Sequence, residues 1–335
     1  NGSNMRENPV GSGPWILTDW SRDHLMELKA NPDYFYGSPQ EEYIQIKILP
    51  EIFSNIAEFE TGRLDIMEVP QSEFSRWINT KKSEVHVFRK PELNLYYIGL
   101  NCSRPPFDDQ RVRQAMNYAV DMKSIIKNML NNAATMSHGP IPPGITAYDS
   151  TRDAYGYDPE KAKELLQMAG YEKGFEVELW QSQTSEYSEL AEAFQAYFED
   201  IGVRVNITRT DFNLLQDAIR QGQPDMYYLN WWADYPDAEN FLYPLFHSSQ
   251  AKRRNRYANP KVDSLIISNQ KTTDKRERIR LAQMAEKEIY QDAPYVFLFH
   301  EITYEISQPW VDKYQPAVMF NGQRYRNVTV ENPSE

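Results

Sequence analysis

The chain has 335 residues, 36 of them basic and 48 acidic, for a formal charge of −12, and 41% of its side chains are apolar. That length holds about two domains, each with enough apolar content for a core, while the acidic balance argues against a nucleic-acid surface, which needs a clustered positive field. A lone cysteine, Cys102, excludes a disulfide framework and a cysteine-only zinc site, and the longest clean apolar run, 295–299, falls far short of the ~20 residues that span a bilayer. The opening residues 1–5 carry no legible secretion leader. They read as an added tail before an internal start, so they say nothing of destination. Seven Trp and 22 Tyr are a surplus for an acidic chain. Such rings gather where a protein grips something, although packing accounts for most of them.

Ile44, Ile46 and Ile48 alternate with polar residues and predict a strand. Residues 51–61 predict a helix with Ile52, Phe53, Ile56 and Phe59 on one face and Gly62 as its stop. A strand over 64–69, a short helix over 72–80 and a strand over 85–88 follow. This β-α-β-α-β order implies parallel strands with helical crossovers. Residues 108–120 predict a helix with Val112, Ala115, Met116 and Ala119 inward, and the proline-rich stretch 139–144 is a loop. Asp158-Pro159 is a cap plus first-turn proline for a helix that buries Ala162, Leu165, Leu166 and Ala169 and stops at Gly170.

A second β-α-β-α-β unit then appears. Phe175, Val177 and Leu179 mark a strand, 187–200 a helix stopped by Gly202, and Val203, Val205 and Ile207 the next strand. Asp211 caps a helix carrying Leu214, Leu215 and Ile219 to Gly222, and 226–231 is the third strand. Two separated units imply two lobes. A charged helix over 274–290 and a buried strand over 295–300 complete the reading.

The catalytic templates fail. There is no G-x-S-x-G elbow and no phosphate loop. The five histidines are scattered without metal-ligand spacing. Asp234, Asp237 and Glu239 lack the turn glycine and closing Glu of a calcium loop. The basic runs 252–254 and 275–280 read as solvated faces, and the abundant acids single out no glycosidase pair. One segment stands out: Asn230-Trp231-Trp232-Ala233-Asp234-Tyr235-Pro236-Asp237. It begins where the third strand of the second unit ends, and ligands of parallel sheets sit beyond the carboxyl ends of strands. Flat aromatic walls around one acid suit a ligand ammonium group. A strand-to-loop turn with aromatics packed beneath it fits the same pattern, and the residues leave both readings open.

Ordered motifs along the chain resemble the family 5 extracellular solute-binding proteins, the peptide- and nickel-binding components of ABC importers. Asn8-Pro9-Val10-Gly11-Ser12-Gly13-Pro14-Trp15 is similar to the family's PVGTGPY turn, and Gly62-Arg63-Leu64-Asp65 to its G-x-x-D strand entry. Val112-Arg113-Gln114-Ala115-Met116-Asn117-Tyr118-Ala119-Val120-Asp121 is similar to its VRQALNYAID helix. Pro140-Ile141-Pro142-Pro143-Gly144, Tyr157-Asp158-Pro159-Glu160-Lys161-Ala162 and Trp232-Ala233-Asp234-Tyr235-Pro236-Asp237 complete the series.

The resemblance implies an α/β fold of the type II periplasmic-binding-protein kind, with two α/β lobes that close around a ligand. The family has further sequence before the PVGTGPY turn that this chain lacks, so the first lobe is expected to be incomplete. The expected division is 1–105 as partial lobe one, 106–304 as lobe two, and 305–335 as a return to lobe one. By the same resemblance Asp234 takes a peptide's α-ammonium and Trp231 lines a side-chain pocket with Asn230, Trp232 and Tyr235 beside it. Asn101 lies where the family chain crosses between lobes. The implied function is non-enzymatic: capture of an oligopeptide or dipeptide and delivery to an ABC membrane permease, with no cofactor, metal or nucleic acid. The implied protein is a monomer when complete, placed in the periplasm or on the outer face of the cell membrane, with a lipid anchor as one means of attachment. A nickel-chelate, oligosaccharide or other small-solute binder and a sensor domain of a regulator are the alternatives.

Overall fold

In the computed structural model, which describes residues 9–80, 84–185, 187–317, 319 and 325–331, the chain forms two units. One is built from the chain up to Lys90 and from Thr303 onward, the other from Pro91–Ile302. The opening tail and Asn8 of the PVGTGPY-like turn lie outside the described residues.

The first unit opens with three strands, β1 (Trp15–Ser21), β2 (Leu25–Ala30) and β3 (Tyr43–Lys47), paired antiparallel in the order β1-β2-β3. Helix α1 (Ile52–Glu60), β4 (Ile66–Glu68), a 3-10 turn (Gln71–Glu73), a π-helical turn (Ser75–Thr80) and β5 (His86–Pro91) follow. Helix α1 buries Ile56 and Phe59, and the Phe59 ring meets Trp77 edge-on at 5.3 Å. The parallel β-α-β-α-β expected here does not form. The strand carrying Ile44 and Ile46 pairs antiparallel with β2 instead. The physical reason is local: a tight turn, in which His24 N donates to Ser21 O at 3.1 Å, brings β1 and β2 together without a crossover. The strands of this sheet are also half-exposed, and parallel strands need both faces covered.

The second unit contains β6 (Asn94–Leu100), α2 (Gln110–Tyr118), α3 (Met122–Asn128), β7 (Ala134–Met136), α4 (Pro159–Met168), β8 (Phe175–Ser182), α5 (Leu190–Asp200) and β9 (Val203–Thr210). It continues through α6 (Phe212–Gln221), β10 (Met226–Trp232), α7 (Glu239–Phe246), α8 (Ser248–Ala251), α9 (Pro260–Lys271), α10 (Lys275–Asp292) and β11 (Tyr295–Ser307), whose last residues belong to the first unit. There the end of β11 pairs antiparallel with β4, and β12 (Val311–Asp312) pairs with β13 (Thr329–Val330).

Strands β8, β9 and β10 are parallel, joined by α5 and α6. The second predicted β-α-β-α-β unit therefore forms. Its punctuation works as read: the Asp211 carboxylate accepts from Asn213 N at 2.8 Å, and Gly222 ends α6 at φ +75°. Strand β6 runs antiparallel between β10 and β11, with all seven residues buried. The two units meet in the chain at residues 90/91 and 302/303. Tyr96, Ile98 and Leu100 of β6 share a core with Met116, Phe194, Phe198 and Tyr228. Each such side chain contributes roughly 1.5–3 kcal/mol when fully buried.

Glu286 of α10 sits within this unit at 1% exposure. It accepts a hydrogen bond from Ile141 N at 3.0 Å and lies 2.8 Å from an Arg152 guanidinium nitrogen. Burial pushes its carboxyl up from 4.5 to about 7, partly offset by Arg152. A carboxyl raised on folding stabilises the fold fully below its unfolded value, and that contribution is lost as pH rises through about 7. Glu286→Gln removes this dependence. Between pH 5 and 7 its stability should gain about 2 kcal/mol relative to the parent. Urea unfolding of both proteins at the two pH values measures this, and an unchanged difference would contradict it.

Candidate functional site

The parallel strands β8, β9 and β10 end at Ser182, Thr210 and Trp232, so their carboxyl ends share one edge of the second unit. Helix α6 starts just past β9 and turns its first residues to that edge. A cavity of about 510 Å³ opens there, lined by Asn213, Gln216, Leu229, Asn230, Trp231 and Arg254 among others. A second, of about 230 Å³, shares Phe212, Leu229 and Asn230 with it and adds Tyr96, Ser182 and Thr184. Concave space at the carboxyl ends of parallel strands is where such sheets hold ligands.

The segment following β10 is clamped at both ends. Ala233 N donates to Leu93 O at 2.9 Å. The Trp231 indole Nε1 donates to Asn240 O at 2.9 Å, and the Arg254 guanidinium lies over the Trp231 ring, 4.9 Å from its centroid. The buried Asn240 side chain accepts from Asp234 N at 3.0 Å. Asp237 accepts from Glu239 N at 2.9 Å and pairs with Arg278 at 2.8 Å. These bonds hold the backbone of the loop and leave the Asp234 carboxylate exposed, with no hydrogen bond or ion pair to a described residue. Trp232 and Tyr235, two residues before it and one after it in the chain, are each 45% exposed. The Tyr235 hydroxyl donates to Glu239, and that bond is the first cause of its raised pKa. An exposed carboxylate on a loop held by its backbone is suited to a cationic group, through a charge-assisted hydrogen bond.

Asn230, Trp231, Trp232, Asp234 and Tyr235 are thus brought together at one strand end. Asn101 is not. Because β6 is antiparallel to β10, Asn101 sits beside the start of β10 and Asp234 beyond its end. Its buried side chain donates to Gly222 O at 3.1 Å and accepts from Ser103 Oγ at 2.8 Å, closing the turn between α6 and β10. Its polar atoms are used by the fold.

Two residues of the site escape sequence reading. Asn240 had one weak signal, a polar residue in the first turn of the helix behind an aromatic loop. Arg254 had none. In the basic run 252–254, Lys252 and Arg253 are solvated as expected, but Arg254 is half-buried against Trp231. Among the described residues no group of His, Cys, Asp and Glu is arranged to hold a metal ion. Burial pushes the Cys102 thiol up to about 12, far from a reactive thiolate. Among the described residues no helix is long and apolar enough to cross a membrane.

The family model described as bacterial extracellular solute-binding proteins, family 5 Middle, matches residues 1–253. The chain is 31% identical over 317 residues to heme-binding protein A of Haemophilus influenzae, covering 92% of this chain and 58% of that protein. It is 28% identical to the dipeptide-binding protein of Escherichia coli, covering 97% and 62%. The chain spans about three fifths of the length of these curated relatives. Among solved structures, HbpA2 of Haemophilus parasuis superposes with a TM-score of 0.87 at 28% identity, over 97% of this chain and 65% of that one. The periplasmic binding protein DppA of Helicobacter pylori, in complex with the peptide STSA, superposes with a TM-score of 0.75 at 27% identity, over 97% and 64%.

Proposed function

The chain belongs to the bacterial extracellular solute-binding proteins of family 5, and from that premise we propose that it captures peptides outside the cytoplasm and delivers them to the membrane permease of an ABC importer. Its role is binding, not catalysis, and it needs no cofactor. The observation that carries this reading is the Asp234 carboxylate: exposed, unpaired among the described residues, on a backbone held by Asn240 and close in sequence to Trp231, Trp232 and Tyr235. The dipeptide-binding relative and the peptide-bound neighbour support peptides as the ligand class.

The peptide's α-ammonium docks on Asp234 and its first side chain lies toward Trp231 and the larger cavity. Because Asn240 already holds the Asp234 backbone, little ordering is left for the moment of binding. Calorimetric titration of the protein expressed from its native gene with a mixture of short peptides tests the reading. Saturable binding with Kd near or below about 1 μM, some 8 kcal/mol, is expected. No heat from any peptide would overturn it.

A further inference from the structure

The larger cavity contains a cation that the peptide reading does not use. Two arginines line it, and they differ. Arg220 pairs with Asp217 at 2.8 Å, both 61% exposed, so its charge is compensated. Arg254 is half-buried and has no ion pair to a described carboxylate. One face of its guanidinium is covered by the Trp231 ring. Electrostatically it faces Tyr97, Tyr227 and Tyr295, which are at most 2% exposed. Tyr97 is a hydrogen-bonding partner of the guanidinium but a neutral one, so the charge stays uncompensated. A guanidinium lying over an indole with one neutral hydroxyl partner still has N–H groups to give, and its fork matches a carboxylate in a two-point bond. Holding a cation away from water without a counter-ion is costly.

We infer that Arg254 anchors a carboxylate of the bound peptide in the cavity beside Trp231, so that the site selects ligands bearing an ammonium at one point and a carboxylate at another. This rests on the peptide reading. The carboxylate comes either from an acidic side chain or from the free C-terminus, and both have the chemistry the site takes.

The test is a set of dissociation constants for Ala-Glu-Ala and Ala-Gln-Ala, each as free acid and as C-terminal amide, against the parent, Arg254→Met and Arg254→Lys. In the parent, either the Glu-to-Gln or the acid-to-amide change should weaken binding about 10- to 100-fold, the loss expected for a hydrogen bond to a charged group, and the change that does so identifies the source. In Arg254→Met the same change should matter less than about two-fold, since no cation is left to read it. Arg254→Lys, which keeps the charge but loses the fork, should fall between them. Equal affinity of the parent for all four peptides overturns the inference while leaving the peptide reading intact, as does discrimination that survives in Arg254→Met. Absence of binding by all four, with other peptides bound, also overturns the inference alone. Failure of every peptide to bind overturns both. The parent panel with Arg254→Lys decides the matter if Arg254→Met does not fold.

Discussion

Replacing Asp234 with Asn should weaken binding of a peptide with a free α-amino group by about 10- to 100-fold, the range of a hydrogen bond to a charged group. The same substitution should leave the affinity for its N-acetylated counterpart within two-fold. The amide has the shape of the carboxylate, and the loop is held by Asp234 N on Asn240, which the substitution leaves in place. What is removed is the charge alone. An acetylated peptide has no ammonium to miss it. The carboxylate is exposed, so part of the attraction is screened, and the difference between the two proteins should shrink as ionic strength rises past 0.15 M, where the Debye length is about 8 Å. Titrations of both peptides at two salt concentrations measure all of this. Equal losses on the free and acetylated peptides would remove Asp234 from the anchor role.

Gly99→Ala should cost about 3 kcal/mol of stability, at the upper end for overpacking a core. Gly99 lies in the central strand β6, opposite Tyr227 of β10 on one side and Tyr295 of β11 on the other. A β-carbon there would fall on the Tyr227 ring, 2.5 Å from Cε2 and 2.6 Å from the hydroxyl oxygen. Tyr227 is 2% exposed, and Tyr97 stacks on Tyr295 at 4.1 Å beside it, so the ring has nowhere to move without displacing its neighbours. Glycine inside a strand here marks a close approach rather than a bend. The companion substitution Tyr227→Leu makes room for the methyl group. The double variant should therefore be at least about 1 kcal/mol more stable than the two single losses predict. Urea unfolding of the four proteins gives the cycle, and simple additivity would contradict the packing argument.

The sequence revealed the second unit in unusual detail because its signals are local. Asp158, Asp211 and Asp274 each cap the helix that follows them, and Gly222 ends one in the left-handed conformation. Each of these features is set within a few residues. Pairing partners are not local, and there the reading failed: the strand around Ile44 was legible, but nothing in it says that β2 lies alongside. Strand β6, buried on both faces, has no alternation to announce it. The helix α9 was missed although Asn259-Pro260 carries the same cap-plus-proline signal as Asp158-Pro159. The site divides the same way. Asp234 was legible because its placement needs only that it follow a strand. Arg254 was not, because its burial depends on Trp231 and on tyrosines from three different strands. Asn101 entered through the resemblance alone, and Gly222 and Ser103 occupy its side chain.

The claim that this chain's site holds the amino end of a peptide is tested most directly by what the protein carries when purified. Protein expressed from its native gene and isolated without added ligand should release, on denaturation, short peptides with free amino termini detectable by mass spectrometry, and Asp234→Asn prepared identically should release far less. A released tetrapyrrole, sugar or metal chelate with no accompanying peptide, or equal peptide yield from both proteins, would contradict the account.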